Sequence, residues 1–174
     1  MTNILTDEKR KIEKRKNAEM GNKIFSEIIE RKNRQNENYC YECLATLDEY
    51  SPYDLQVHKH CNDDWGNMEI SYHEVKLRNE DYSFTSFTNS YIDVYKICQL
   101  QKIAYLTSKD VFVNMIYPKD RAMLIWKIEP DVNYTTIHKT NINWKSESVA
   151  RGQDIRLEKD FVLLSNDEAV KIKY

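Results

Sequence analysis

The stretch SPYDLQVHKHCNDDWGNMEISYHEVKLR, residues 51–78, carries the reading from which the fold follows. Residues 53–59 set Leu55 and Val57 in alternation with Asp54 and Gln56, the period-two pattern of a strand with one buried face. Residues 61–67 are polar and hold Asn, Asp and Gly, which reads as a loop. Residues 68–77 return to a strand pattern. On that second strand Glu74 and Lys76 project to one face and Val75 to the other. If the two strands are neighbours, Asp54 comes close to Glu74.

Upstream, residues 6–35 read as a helix rich in Lys, Glu, Arg and Ile, with Thr6 as its N-cap and Asp7 and Glu8 in its first turn. Ile24, Phe25, Ile28 and Ile29 form its apolar stripe. Glu27, on the side of Ile24 and Ile28, is expected to point inward or to the stripe's margin. Gly21 either breaks this helix or permits close packing. Residues 33–38 are a polar turn, residues 39–47 a first strand and residues 48–52 a second turn. Downstream, residues 79–89 are a loop rich in Ser, Thr and Asn. Ser90, with Asp93 three residues on, reads as the opening of a second helix that ends near Thr107. Residues 111–117 and 123–128 are strands joined by a hairpin at Pro118, and residues 137–142, 161–164 and 170–173 are strand-like, with a polar loop over 143–153. No repeat or linker interrupts the chain. The expected fold is α/β, one domain over 21–174 with a mixed central sheet flanked by helices, preceded by a basic helical extension over 1–20.

Composition supports a globular chain. Of 174 residues 41% are hydrophobic, enough for a core, and three Gly and three Pro exclude collagen-like or low-complexity architectures. No run is long enough to cross a bilayer, and the charged start has no apolar segment of a secretory signal, so the expectation is a cytoplasmic protein with no membrane partner. The formal net charge of −2 points to no polyanion, yet through Asn36 ten Lys/Arg stand against six Asp/Glu. Lys14 and Arg15 belong to that basic run, which could contact phosphates or be a solvated helix face.

Cys40 and Cys43 have C-x2-C spacing, and His58, His60 and Cys61 follow. Cys40, Cys43, His58 and Cys61 make a candidate zinc set. Three features count against it. No Gly lies between the cysteines to turn the backbone, strand residues three apart face opposite sides, and the adjacent His60-Cys61 pair is not finger spacing. The alternative is cysteine as a small apolar side chain.

Asp54 preceded by Pro52-Tyr53, followed twenty residues later by Glu74-Val75-Lys76, resembles the PD-(D/E)XK nuclease superfamily. The order helix, three strands, helix, strands agrees with that family's core over roughly residues 21–128. The resemblance implies a restriction-endonuclease-like fold and metal-dependent hydrolysis of nucleic acid, DNA foremost, with a homodimer admissible. It implies that Asp54, Glu74 and the Val75 carbonyl hold Mg²⁺ or Mn²⁺, with Glu27 as a further acid from the leading helix, and that Lys76 serves catalysis. Arg78, Lys96, Gln99, Lys14 and Arg15 would hold the nucleic-acid backbone. Oxygen donors in this number suit a hard cation, and a neighbouring ammonium can stabilise charge on a phosphoryl oxygen. The same residues could instead form a structural salt bridge in a non-catalytic nucleic-acid-binding or assembly module. A zinc-stabilised interaction domain is the third alternative.

Overall fold

The computed structural model describes residues 2–46, 51–61, 64–78, 81–142 and 157–174. The 143–153 loop and most of the 48–52 turn fall outside the described residues. In chain order the elements are α1 (Thr2–Gln35), β1 (Tyr39–Ala45), β2 (Leu55–Cys61), β3 (Asp64–Leu77), β4 (Asn89–Asp93), α2 (Val94–Thr107), β5 (Asp110–Tyr117), β6 (Ala122–Lys127), β7 (Thr136–Ile142), β8 (Leu157–Ser165) and β9 (Val170–Lys173). Short 3-10 turns lie at Phe84–Ser86 and Pro118–Asp120.

β1, β2, β3, β5, β6 and β9 form a six-stranded sheet in that spatial order. β3 and β5 run parallel and every other pair in it is antiparallel, so the sheet is mixed. The α/β class with a mixed central sheet and two helices therefore holds. A second sheet, β4-β8-β7, adds a layer that the sequence reading did not foresee.

Strand alternation gives the large sheet two apolar faces. On one, Phe25 and Ile28 of α1 pack against Leu55, Val57, Val75, Ile116 and Met123. On the other, Ile97, Leu100 and Ala104 of α2 meet Val111, Val113, Met115, Leu124 and Trp126, together with Ile92, Val162 and Leu164 of the second sheet. Each such aliphatic or aromatic burial stabilises by about 1.5–3 kcal/mol. Gly21 lies on the side of α1 that faces the sheet. A Cβ there would meet Val75 Cγ1 at 3.4 Å and Leu77 Cβ at 3.5 Å, ordinary contact, and the helix runs through the glycine unbroken.

Among the boundaries that differ from the sequence expectation, three change the architecture. α1 begins at Thr2, so Thr6 lies inside the helix. β3 begins at Asp64, which makes most of the expected 61–67 loop into strand. Ser90 does not cap α2. It lies in β4, paired with Leu164 of β8, and its hydroxyl meets Tyr117 Oη and Asn166 Oδ1, each at 2.8 Å. Asp93 is the N-cap, accepting from the Tyr95 N–H at 2.9 Å. The reason is tertiary: Ser90 and Ile92 alternate inward along β4, and a strand far along the chain supplies their ladder.

Candidate active site

The register of β2 on β3 builds the site. Leu55 pairs with His73, and Asp54, just before β2, lies close enough to Glu74 for the two carboxylates to act on each other. β2 ends there, and Asp54 stays tied to β3 by its backbone. Its N–H donates to the His73 carbonyl at 2.9 Å, while its Oδ2 accepts from the Val75 N–H at 2.7 Å. In a strand the N–H and C=O of one residue lie on the same edge, so the Val75 carbonyl also faces the gap that β2 leaves.

Glu74 is fully buried, and cations compensate it. Lys76, two residues on and on the same face, touches Glu74 Oε1. Lys96, in the first turn of α2, donates to Glu74 Oε2 at 3.1 Å and to the Pro52 carbonyl at 3.3 Å. Glu74 Oε1 touches the Lys76 ammonium without making a hydrogen bond of regular geometry. Lys76 keeps 44% of its side chain exposed, so the cluster opens to solvent through it.

Burial, and then the neighbouring Glu74 carboxylate, push the Asp54 carboxyl up to about 6, against the opposing pull of Lys76, the Val75 N–H and Lys96. For Lys76, burial lowers the pKa, but the Glu74 carboxylate and then Asp54 outweigh it, so the net shift is upward. Two carboxylates and two ammonium groups thus share one patch at the end of β2.

Asp54, Glu74, Val75 and Lys76 are therefore brought together as the sequence reading expected. Lys96 was expected at a phosphate, and it meets Glu74 instead. A lysine in a helix's first turn sits against the positive end of the dipole, and the Glu74 carboxylate offsets that repulsion. Gln99, one turn further along α2, is half-buried. Arg78 is engaged within the protein, its guanidinium donating to the Tyr91 carbonyl at 3.0 Å and lying 3.1 Å from Met115 Sδ. Glu27 is not brought to the site. It is exposed on α1, and α1 covers the opposite face, where Val75 and Leu77 point. The stripe formed by Phe25 and Ile28 is narrower than the side on which Glu27 was placed. Arg15 is exposed on α1, and the Lys14 side chain lies outside the described residues.

The zinc set is divided between faces. Register pairs Cys40 with His60 and Glu42 with His58, which puts Cys40 and His58 on the Glu74 face. Cys43 pairs with Val57 and Cys61 with Tyr39, which puts these two thiols on the face of α1. Burial pushes the Cys43 thiol up to about 11, against a hydrogen bond with Ser26 of α1 and with help from Glu30 and Glu42. Period-two alternation is what separates residues three apart.

His73 also belongs to the α1 face. Asn114 Nδ2 lies 3.1 Å from its Nδ1 and also donates to the Glu74 carbonyl, while Ser71 Oγ lies 2.9 Å from its Nε2. The donating amide fixes the tautomer with the proton on Nε2. Burial lowers this imidazole to about 4.

Comparison with protein-family models, with curated proteins and with solved structures gave no match. Among the described residues no helix is long and apolar enough to cross a membrane.

Proposed function

We propose that the protein is a divalent-metal-dependent phosphodiesterase acting on nucleic acid, DNA foremost, built on a restriction-endonuclease-like core. What supports the reading is one juxtaposition: Asp54 lies beside Glu74 at the strand end, and two ammonium groups contact Glu74. The donor set suits a hard cation. Asp54, Glu74 and the Val75 carbonyl are oxygen ligands, and Asp54 is held above its ordinary range by burial and by like charge that a cation would relieve. When bound, such a cation supplies Lewis-acid neutralisation of a phosphoryl oxygen. Lys76, whose side chain is partly exposed, would orient a water and stabilise charge on the phosphate. Lys96 donates to Glu74 and to the Pro52 carbonyl, and it is the ammonium that an entering cation would displace.

The test is cleavage of duplex DNA, single-stranded DNA and RNA with Mg²⁺ and with EDTA. Mg²⁺-dependent cutting is expected, and Glu74→Gln and Lys76→Ala each abolish it. Retained cutting by both variants removes the reading.

One observation favours a second reading. Two carboxylates and two ammonium groups already balance in charge, so metal entry must displace an ammonium from Glu74. An ion-pair cluster that knits β2, β3 and α2 in a non-catalytic nucleic-acid-binding or assembly module has the same composition. Binding without turnover at any divalent ion selects it.

A further inference from the structure

The sheet face that carries Glu74 and Lys76 continues across β2 and β1. The pairs Glu42–His58, Cys40–His60, Gln56–Tyr72, His58–Ile70 and His60–Met68 put Glu42, Gln56, His58 and His60 on that face. One ligand atom from each of Glu42, His58 and His60 lies within 4.8 Å of the other two. His60 Nε2 is 3.8 Å from Glu42 Oε2, and the two imidazoles meet edge-on with centroids 6.3 Å apart. Both histidines are half-buried and Glu42 is exposed, so the cluster has firm walls and an open mouth. His58 Nε2 is held by Gln56 Oε1 at 3.3 Å, and Gln56 Nε2 donates to Tyr53 Oη at 2.8 Å. A ring oriented by a neighbour's hydrogen bond is how histidine ligands are aimed.

We propose that Glu42, His58 and His60 bind a divalent first-row transition-metal ion, zinc above the others, at a site separate from the Asp54–Glu74 cluster. Imidazole nitrogens favour zinc over magnesium, and two histidines with one carboxylate leave a coordination position open. The ligands come from two hydrogen-bonded strands whose register sets their spacing, so the backbone does not have to rearrange. Ile70 and Glu74 are four residues apart on β3, which puts the site about 13 Å from the carboxylate cluster at about 3.3 Å per residue. The thiols of Cys43 and Cys61 lie across the sheet and take no part.

The experiment titrates Zn²⁺ into the metal-stripped full chain against a chromophoric chelator, for wild type, His60→Gln, Glu42→Gln and a Cys43→Ser/Cys61→Ser control. X-ray absorption at the zinc edge reads the ligands. A single Zn²⁺ with imidazole and oxygen scattering is expected. His60→Gln and Glu42→Gln should each weaken binding at least about tenfold, while the thiol control binds as wild type does. Glu42→Gln removes only a charge from an exposed side chain, and far-UV circular dichroism confirms that the variants fold. The proposal is overturned by any of three results: wild type takes up no stoichiometric zinc, His60→Gln binds unchanged, or sulfur scattering appears at the zinc edge of the wild type.

Discussion

Asp54→Asn gives the sharpest test of the electrostatics. In the folded protein the Asp54 carboxyl keeps its proton up to about pH 6, while the unfolded chain releases it near 3.8. Between those values the folded state binds more protons, so this residue makes stability fall as pH rises. A difference of about two pH units at about 1.36 kcal/mol each gives a cost of about 3 kcal/mol, complete above pH 6. His73 works in the opposite sense. Burial lowers it from 6.5 to about 4, so between those values the unfolded chain binds more protons and stability rises with pH, also by about 3 kcal/mol. In the wild type the two slopes largely cancel from about pH 4 to about pH 6. The variant lacks the first, and its amide oxygen can still accept from the Val75 N–H. Urea unfolding in EDTA across this range should show Asp54→Asn gaining on the wild type as pH rises, until it is about 2–3 kcal/mol more stable above pH 7. A difference that does not change with pH, or a variant less stable at alkaline pH, refutes the reasoning.

Further outcomes follow from the same contacts. Lys96→Gln takes one ammonium from Glu74, and isothermal titration should show tighter Mg²⁺ binding than in the wild type; weaker binding would mean that Lys96 builds the cation site rather than competing with the cation. Gly21→Ala should be neutral or stabilising by up to about 1 kcal/mol, because the added methyl reaches ordinary contact with Val75 and the helix gains propensity, whereas Gly21→Leu should cost more than about 2 kcal/mol in thermal or urea unfolding. Asn33→Ala breaks two hydrogen bonds to Tyr41, each 2.7 Å, and should cost about 1–3 kcal/mol in urea unfolding. Alkylation at mildly alkaline pH, followed by mass spectrometry, should modify exposed Cys40 and Cys98 first and Cys43 last, since burial raises the Cys43 thiol to about 11.

Much of the molecule was written in local pattern. The alternation of Leu55 and Val57, and the placement of Glu74 and Lys76 two residues apart, required only the period of a strand. From it came the α/β class, the meeting of Asp54 with Glu74, and the separation of Cys40 from Cys43. What the sequence could not fix was decided by partners distant along the chain. Ser90 had the local signature of a helix cap and became a strand residue because β8 offered a ladder. Glu27 shares a helix side with apolar residues, but α1 docked on the face of Val75, so it stayed in solvent away from Glu74. Lys96 carried no sign of which anion it serves until α2 brought its first turn over β3. The Glu42–His58–His60 cluster exists only through the pairing of β1 with β2. Periodicity is a property of neighbouring residues, and so the sequence alone determined it. Which face docks where, and which charges end up sharing a volume, are properties of the packed whole, set by contacts between residues distant along the chain.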